Sequence, residues 1–136
     1  MAAKKQTLSN LLLDAVLSNV AYVSPATLHV ALYTVAPTAT TAGTEVAIAG
    51  GELYARQAVT AGFVTPVLTG STSNLAPITF PEAGASWTTV VAAAICVGAV
   101  RGVDDQLYFG DLTVPKPVGV GDVLSFAVGA LVVSES

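Results

Sequence analysis

The spacing of hydrophobic positions changes near Pro25, which divides the chain into a helical part and a β-rich part. Ahead of Pro25, apolar residues recur every three or four positions, and this predicts an amphipathic helix: Leu8, Leu11, Leu12, Ala15 and Val16. We expect Thr7 or Ser9 to cap the start of this helix, and we expect it to end near Asn19. Its apolar stripe is wide, so the helix must dock on its own sheet or on a neighbouring subunit.

Beyond Pro25 the apolar period falls to two, which is typical of β-strands. The pattern predicts a central strand over residues 87–97 and an irregular segment over residues 111–121, which hold Pro115 and Pro117. Residues 63–68 contain Pro66, so a strand there is expected at a sheet edge. The other predicted strands cover residues 28–35, 45–48, 53–59, 78–80, 107–109 and 123–133.

About seven to nine short strands and one helix favour an all-β fold, because turn signals recur roughly every ten residues. With a single helix, the crossover connections of a parallel sheet are not available. We therefore predict an antiparallel β-sandwich or jelly roll with one N-terminal helix. We expect one domain, in which residues 1–24 form an arm and helix and residues 25–136 form the sandwich.

Two of the predicted strands, residues 28–35 and 90–97, are apolar on both faces. A sandwich strand normally leaves its outer face to water, so a two-sided apolar strand needs a cover. We infer that a subunit interface supplies part of that cover. The candidate interface residues are Tyr33, Tyr54, Arg56, Leu12 and Val16, of which Tyr54 and Arg56 share one strand face and belong to residue types that are enriched at interfaces.

Charged residues make up 10% of the chain, well below the usual share of about 25%. Such a surface repels neighbouring molecules poorly, which favours a chain covered by partners. The formal net charge is −4 and the five cationic residues are scattered, so direct nucleic-acid binding is not expected. The longest apolar run, residues 90–100, is about half the length of a membrane helix, so no membrane partner is expected.

Residues with catalytic or ligand-binding chemistry are sparse. Cys96 is the single cysteine, in an apolar run typical of a buried side chain, and His29 is the single histidine. No nucleophile motif accompanies His29, so we expect neither an enzyme nor a cofactor or metal site. Asp104 and Asp105 are adjacent in a turn, where such carboxylates face solvent or bind their own backbone. Trp87 with Tyr108 is the only plausible start of an aromatic platform for sugars.

Several segments of the β-rich part resemble a family of small tailed-phage and prophage proteins. The resemblance runs from about Pro25 to Val133 and is strongest at Ala31-Leu32-Tyr33, Tyr54-Ala55-Arg56-Gln57 and Phe80-Pro81. Its other parts include the segments SPATLHVALYTVAPT, GGELYARQAV, ITFPEAGASW and LYFGDLTVPKPVGVGDVLSFAVGALVV. Members of this family are usually described as tail fibre proteins or virion structural proteins.

The resemblance implies a non-enzymatic structural protein of a phage virion, assembled in the cytoplasm of the bacterial host. The compact size favours a capsid cement or decoration protein, which dimerises or trimerises and staples subunits of the major capsid protein. A tail, baseplate or tail-fibre-associated component is the alternative. A carbohydrate-binding module for adsorption to the host is a second alternative.

Overall fold

The computed structural model describes residues 3–64 and 70–134, which form a mainly antiparallel β-sandwich with one N-terminal helix. The prediction of the fold class is confirmed. In chain order the described elements are β1 (Ala3–Lys4), α1 (Gln6–Leu17), β2 (His29–Val35), β3 (Thr44–Glu45), β4 (Gln57–Ala58), β5 (Ser71–Ser73), β6 (Ile78–Thr79), β7 (Thr88–Cys96), β8 (Gln106–Val118), β9 (Ser125–Phe126) and β10 (Val132–Ser134).

One large sheet carries the sandwich. Its strand order is β1-β8-β7-β2-β3, and β4 also pairs with β2. Two small sheets complete the described part of the chain, β5 with β10 and β6 with β9, and all pairings between these strands are antiparallel. The large sheet therefore has β2 and β7, the two strands predicted to be apolar on both faces, side by side.

Both faces of β2 and β7 are buried, as the two-sided apolar pattern predicts. On one face, Val30 and Leu32 join a core with Phe80 and Trp87. Its remaining buried members are Val46, Tyr54, Ile78, Ala83, Val90, Ala93, Val118 and Leu131. On the other face lies a second, smaller cluster: Ala31, Tyr33, Ala92, Ala94 and Cys96. Ala36 and Phe109 pack against this second cluster, so part of its cover comes from the chain itself.

Both prolines of residues 111–121 lie within strand β8, so the prediction that no strand forms there is wrong, although the pairing of this segment with β7 is irregular. Pairing steps from Ala92 with Asp111 directly to Val90 with Lys116, which leaves Val91 opposite four residues of β8. This irregularity moves the chain around Pro115 away from β7, where a missing N–H would otherwise interrupt the ladder. Pro117 then pairs with Thr89.

The long final strand predicted over residues 123–133 is also wrong, because a turn divides it into β9 and β10. Gly129 adopts a φ of +78°, a conformation that glycine reaches without a steric penalty. Buried Asn74, which directly follows β5, fixes the turn. Its Nδ2 donates to the carbonyls of Ala76 and Ala127, at 2.8 and 3.0 Å, and its Oδ1 accepts from the N–H of Leu131.

Other predicted elements also differ in length from those observed. The strands expected over residues 45–48 and 53–59 are reduced to β3 and β4, and Leu53 departs from strand geometry with a φ of +60°. Of residues 63–68, Phe63 forms a bridge with Asn74, while residues 65–69 lie outside the described residues. The helix ends at Leu17, two residues before the predicted Asn19, which adopts the left-handed conformation that commonly follows a helix.

Neither Thr7 nor Ser9 caps helix α1, so that prediction is wrong. The helix begins earlier, at Gln6, and Lys5 occupies the N-cap position without a side-chain capping bond. The reason is tertiary: β1 pairs with β8, and this pairing fixes the chain up to the point where the helix starts. None of the helices in residues 3–64 and 70–134 is long and apolar enough to cross a membrane.

Candidate functional site

Helix α1 is fixed to the domain at its first turn. The N–H of Lys5 donates to the carbonyl of Leu107, and the N–H of Gln6 donates to the carbonyl of Ala39, each at 2.9 Å. Leu8 is the one buried residue of the helix. The start of the helix is therefore held between β8 and the loop after β2, and its later turns extend from this base.

The side chain of Lys5 strengthens this base. Its ammonium group is almost completely buried and donates to two backbone carbonyls, that of Thr38 at 3.0 Å and that of Thr41 at 2.7 Å. The carboxylate of Asp104, which is largely exposed, lies 3.7 Å away. A buried charge is tolerated only where hydrogen bonds replace its water, and the two carbonyls supply them.

Beyond this base the chain presents an apolar surface, which we call the apolar arm and define as residues 11–23. Six of its large apolar residues are exposed: Leu11, Leu13, Val16, Leu17, Val20 and Val23. Val16 is 78% exposed and Leu17 is 77% exposed. Exposed large apolar side chains gathered in one short stretch are typical of a contact surface, and this arm has that character.

Of the five residues predicted at an interface, Val16 lies on this surface and Leu12 is half-buried. Their contact with a partner stays a prediction. The sequence alone indicates the wide apolar stripe through Leu13, Leu17 and Val20, but not Lys5, whose burial depends on carbonyls more than 30 residues away.

Tyr33, Tyr54 and Arg56, the other three predicted residues, are buried inside the chain and do not lie on its surface. The ring of Tyr54 stacks on Phe80 and meets Trp87 edge to face. Its hydroxyl accepts from the N–H of Leu32 at 3.0 Å and donates to Glu45 at 3.3 Å. Tyr54 and Arg56 do lie on one side of their segment. That side faces the interior of the chain, toward Glu45.

Arg56 is the centre of a buried ionic cluster that joins three parts of the chain. Its guanidinium binds the Glu45 carboxylate of β3, the Asp105 carboxylate at 2.9 Å, and the carbonyls of Gly98 and Val103. Burial alone would lower the pKa of Arg56, but the hydrogen bonds and charge of Glu45 more than offset this and the pKa is raised. The guanidinium thus acts as a permanent cross-link between β3 and the turn before β8.

Asp105 completes the turn itself, as expected for adjacent carboxylates in a glycine-flanked loop. Its second oxygen accepts from the N–H of Gly98 at 2.6 Å. Arg101 reaches from the same loop to the carbonyl of Val46 at 2.6 Å and to that of Glu45 at 3.2 Å. Both arginines therefore hold the loop of residues 97–105 against β3.

A second polar group lies among the alanines of the other sheet face. The hydroxyl of Tyr33 accepts from Nε2 of Gln106 at 2.7 Å and lies 4.0 Å from the Sγ of Cys96. Burial raises the pKa of the Cys96 thiol to about 12 and raises the pKa of Tyr33 as well. The thiol is therefore protonated at neutral pH, which agrees with its prediction as a buried apolar side chain.

His29, the single histidine, has a buried Nδ1 with no hydrogen-bond partner among the described atoms. Within residues 3–64 and 70–134, no group of three or more His, Cys, Asp or Glu side chains could hold a metal ion.

The aromatic platform considered for sugar binding is not formed. Trp87 is only 2% exposed, and its indole N–H donates to the carbonyl of Glu52 at 2.8 Å. A sugar ring stacks on an exposed aromatic face, which Trp87 does not present. The carbohydrate-binding alternative therefore loses the pair of residues on which it depended.

An open groove of about 760 Å³ separates the second half of β8 from the C-terminal segment. Apolar side chains of the main core reach its floor, among them Leu112, Leu124 and Phe126. Charged groups also line it: Asp111, Lys116 and Asp122. The mixed lining gives the groove no single ligand chemistry.

Comparison with known proteins gives one family. The family described as Podophage GP4 fiber I protein gp80 matches residues 3–134, which is nearly the whole chain. No curated protein matches the chain.

Proposed function

The chain belongs to the family of the podophage GP4 fiber I protein gp80, and from this we propose that it is a structural subunit of a phage fibre. Membership of this family makes it a phage structural protein, and its location in a fibre is our proposal. The observation that supports a fibre location is the extent of the family match. It includes β1, the helix and every described strand, so the whole domain corresponds to the family and not only one motif.

The architecture supports a mechanical role. The long connections after β2 and β7 are held by cationic side chains, that of buried Lys5 in one case and those of buried Arg56 and half-buried Arg101 in the other. Such cross-links raise the free energy needed to open these connections locally, which suits a domain under mechanical load. The apolar arm then supplies surface for contact with other protein of the virion. The proposed mechanism is therefore binding and resistance to load, without a chemical step.

The second candidate function is that of a capsid cement protein, which the compact size of the chain favours. It is supported by the low charge of the chain, which suits a domain that lies against other protein over much of its surface. In this case the partner would be the major capsid protein, and the apolar arm would lie across a junction between capsid subunits.

One experiment separates the two candidates. Virions are dissociated into heads and tails with attached fibres, and each fraction is quantified by mass spectrometry against the major capsid protein. We expect the chain in the tail and fibre fraction, at a copy number far below that of the capsid protein. Enrichment in heads at a copy number close to that of the capsid protein would support cement. Absence from both fractions would contradict both candidates.

A further inference from the structure

Strand β8 is an edge strand over its second half. One side of β8 pairs with β7, whereas β1 covers the other side only at Tyr108 and Phe109. Within residues 3–64 and 70–134, no strand pairs with residues 111–118 on this outer side. The side chains of residues 113–117 are all exposed, as expected of an open edge. An open edge offers backbone groups with which a strand of another molecule can pair.

The surroundings of this edge favour such pairing. The edge borders the open groove of about 760 Å³, whose lining includes Leu112, Leu124 and Phe126, which pack against the main core. An added strand would therefore bury apolar side chains in addition to forming hydrogen bonds. Charged residues make up only 10% of the chain, so charge repulsion does little to keep two copies apart.

The backbone direction at Pro117 follows from its neighbour. The carbonyl of Val118 accepts from the N–H of Trp87, which directly precedes β7, at 2.9 Å. The backbone groups of Val118 therefore point toward β7. Successive residues of a strand direct their N–H and C=O groups to opposite sides, so residue 117 points to the outer edge. Proline has no N–H, and the outer edge at this position offers an acceptor but no donor.

Pro115 removes a second N–H from the same stretch. It lies among residues 112–115, which pair with no residue of β7, because pairing passes from Asp111 directly to Lys116. A strand laid along this edge would leave carbonyls of its own without donors, and an unpaired carbonyl that is shielded from water is costly. Prolines on edge strands prevent such pairing in many β-proteins.

We propose that Pro115 and Pro117 close the outer edge of β8 to strand pairing with the same edge of a second copy. Copies of the chain then meet through side-chain surfaces and do not join into continuous sheets. The proposal concerns the isolated chain, so it does not depend on where in the virion the chain is located.

The test restores the missing donors. Pro115→Thr/Pro117→Thr returns both N–H groups through a residue that favours strands, and Pro117→Thr returns only the outward one. Pro25→Thr is the matched control, because it makes the same substitution outside every described strand. Circular dichroism and thermal melting verify that the variants fold. Analytical ultracentrifugation up to about 100 µM then compares the self-association of each variant with that of the unmodified chain.

We expect the double variant to associate at least about tenfold more tightly than the unmodified chain, because the pairing of two restored edges gains several hydrogen bonds. Pro25→Thr should associate no more tightly than the unmodified chain. A smaller gain is expected for Pro117→Thr, which decides the question if the double variant does not fold. Unchanged association on restoring the donors, or an equal gain in Pro25→Thr, would overturn the proposal.

Exchange of the amide that Pro117→Thr introduces, measured by NMR, gives a second readout. In dilute solution this amide should exchange about as fast as in an unfolded chain, because it faces solvent. In the associated double variant its exchange should slow at least about tenfold. Protection already in dilute solution would contradict the outward direction of residue 117. An unprotected amide in the associated species would show that a different surface makes the contact, and this result would also overturn the proposal.

Discussion

Arg56 and Glu45 form a buried ion pair with three contacts between them. Nη2 and Nε of Arg56 lie 2.9 and 3.0 Å from Oε1 of Glu45, and Nε lies 3.2 Å from Oε2. The two residues come from different strand segments, and Asp105 binds the far side of the same guanidinium. One cation therefore balances two carboxylates that would otherwise be unpaired inside the fold.

Arg56→Met should destabilise the domain by about 3–5 kcal/mol, because it retains the aliphatic volume and leaves Glu45 buried without its partner. Arg56→Lys should also destabilise it, since an ammonium group cannot replace the planar fork that contacts Glu45 and Asp105 together. Urea denaturation measures both effects. The matched control is Lys116→Met, which removes an exposed cation and should change stability by less than about 0.5 kcal/mol. Equal losses for Arg56→Met and Lys116→Met would refute the assigned role.

Asn74→Ala should lower the free energy of unfolding by about 2–4 kcal/mol, because three backbone groups lose their hydrogen-bond partner inside the sandwich. These groups are the carbonyls of Ala76 and Ala127 and the N–H of Leu131. The amide exchange of β5 and β10, which meet beside Asn74, should rise more than that of β7. Asn10→Ala, on the exposed side of the helix, is the control and should leave stability within about 0.5 kcal/mol.

The regular centre of the fold could be predicted from sequence, because β2 and β7 depend mainly on their own residues. Alternating apolar positions and small alanines identify both strands and indicate their burial on two faces. The sequence could not predict that the prolines of β8 lie within a strand, because the irregular pairing opposite Val91 is a property of two strands together. The division of the last strand depends on Asn74, which is more than 50 residues away from Ala127 and Leu131.

For the same physical reason, the burial or exposure of some candidate interface residues could be predicted from sequence and that of others could not. Tyr54 and Arg56 resemble surface anchors when read along one strand, because tyrosine and arginine are common at interfaces. The residue that draws them inward, Glu45, belongs to a different strand segment and carries no local signal of burial. Val16 could be predicted as part of an apolar helix surface because the apolar stripe of a helix is a property of the helix alone, and its contact with a partner stays a prediction.

Lys5→Met should loosen helix α1 without disturbing the large sheet. The substitution retains the aliphatic chain but removes the donors to the Thr38 and Thr41 carbonyls. Hydrogen exchange measured by mass spectrometry should show protection in residues 6–17 falling by roughly tenfold, while β2 and β7 keep theirs. Lys116→Met is again the control. A uniform fall in protection over the helix and the sheet would contradict a local anchoring role.

Alkaline pH should destabilise the domain, because its buried thiol and tyrosine hydroxyls hold their protons more tightly in the folded chain than in the unfolded chain. Burial raises the pKa of Cys96 from 9.0 to about 12, and burial also raises the pKa values of Tyr33 and Tyr54 above the ordinary value of 10.0. The unfolded chain therefore releases these protons first as the pH rises. The contribution of Cys96 is fully present below pH 9 and is lost between pH 9 and about pH 12, by at most about 1.4 kcal/mol per pH unit.

Urea denaturation at successive pH values checks this sign, and Cys96→Ala provides the matched comparison. The free energy of unfolding should fall from about pH 9 upward in both proteins, and less steeply in Cys96→Ala because one titrating group is missing. Alkylation gives an independent measurement at about pH 8, where native Cys96 should react with iodoacetamide far more slowly than the same chain in urea. Stability that rises between pH 9 and pH 11, or native alkylation as fast as in urea, would be incompatible with a buried, protonated thiol.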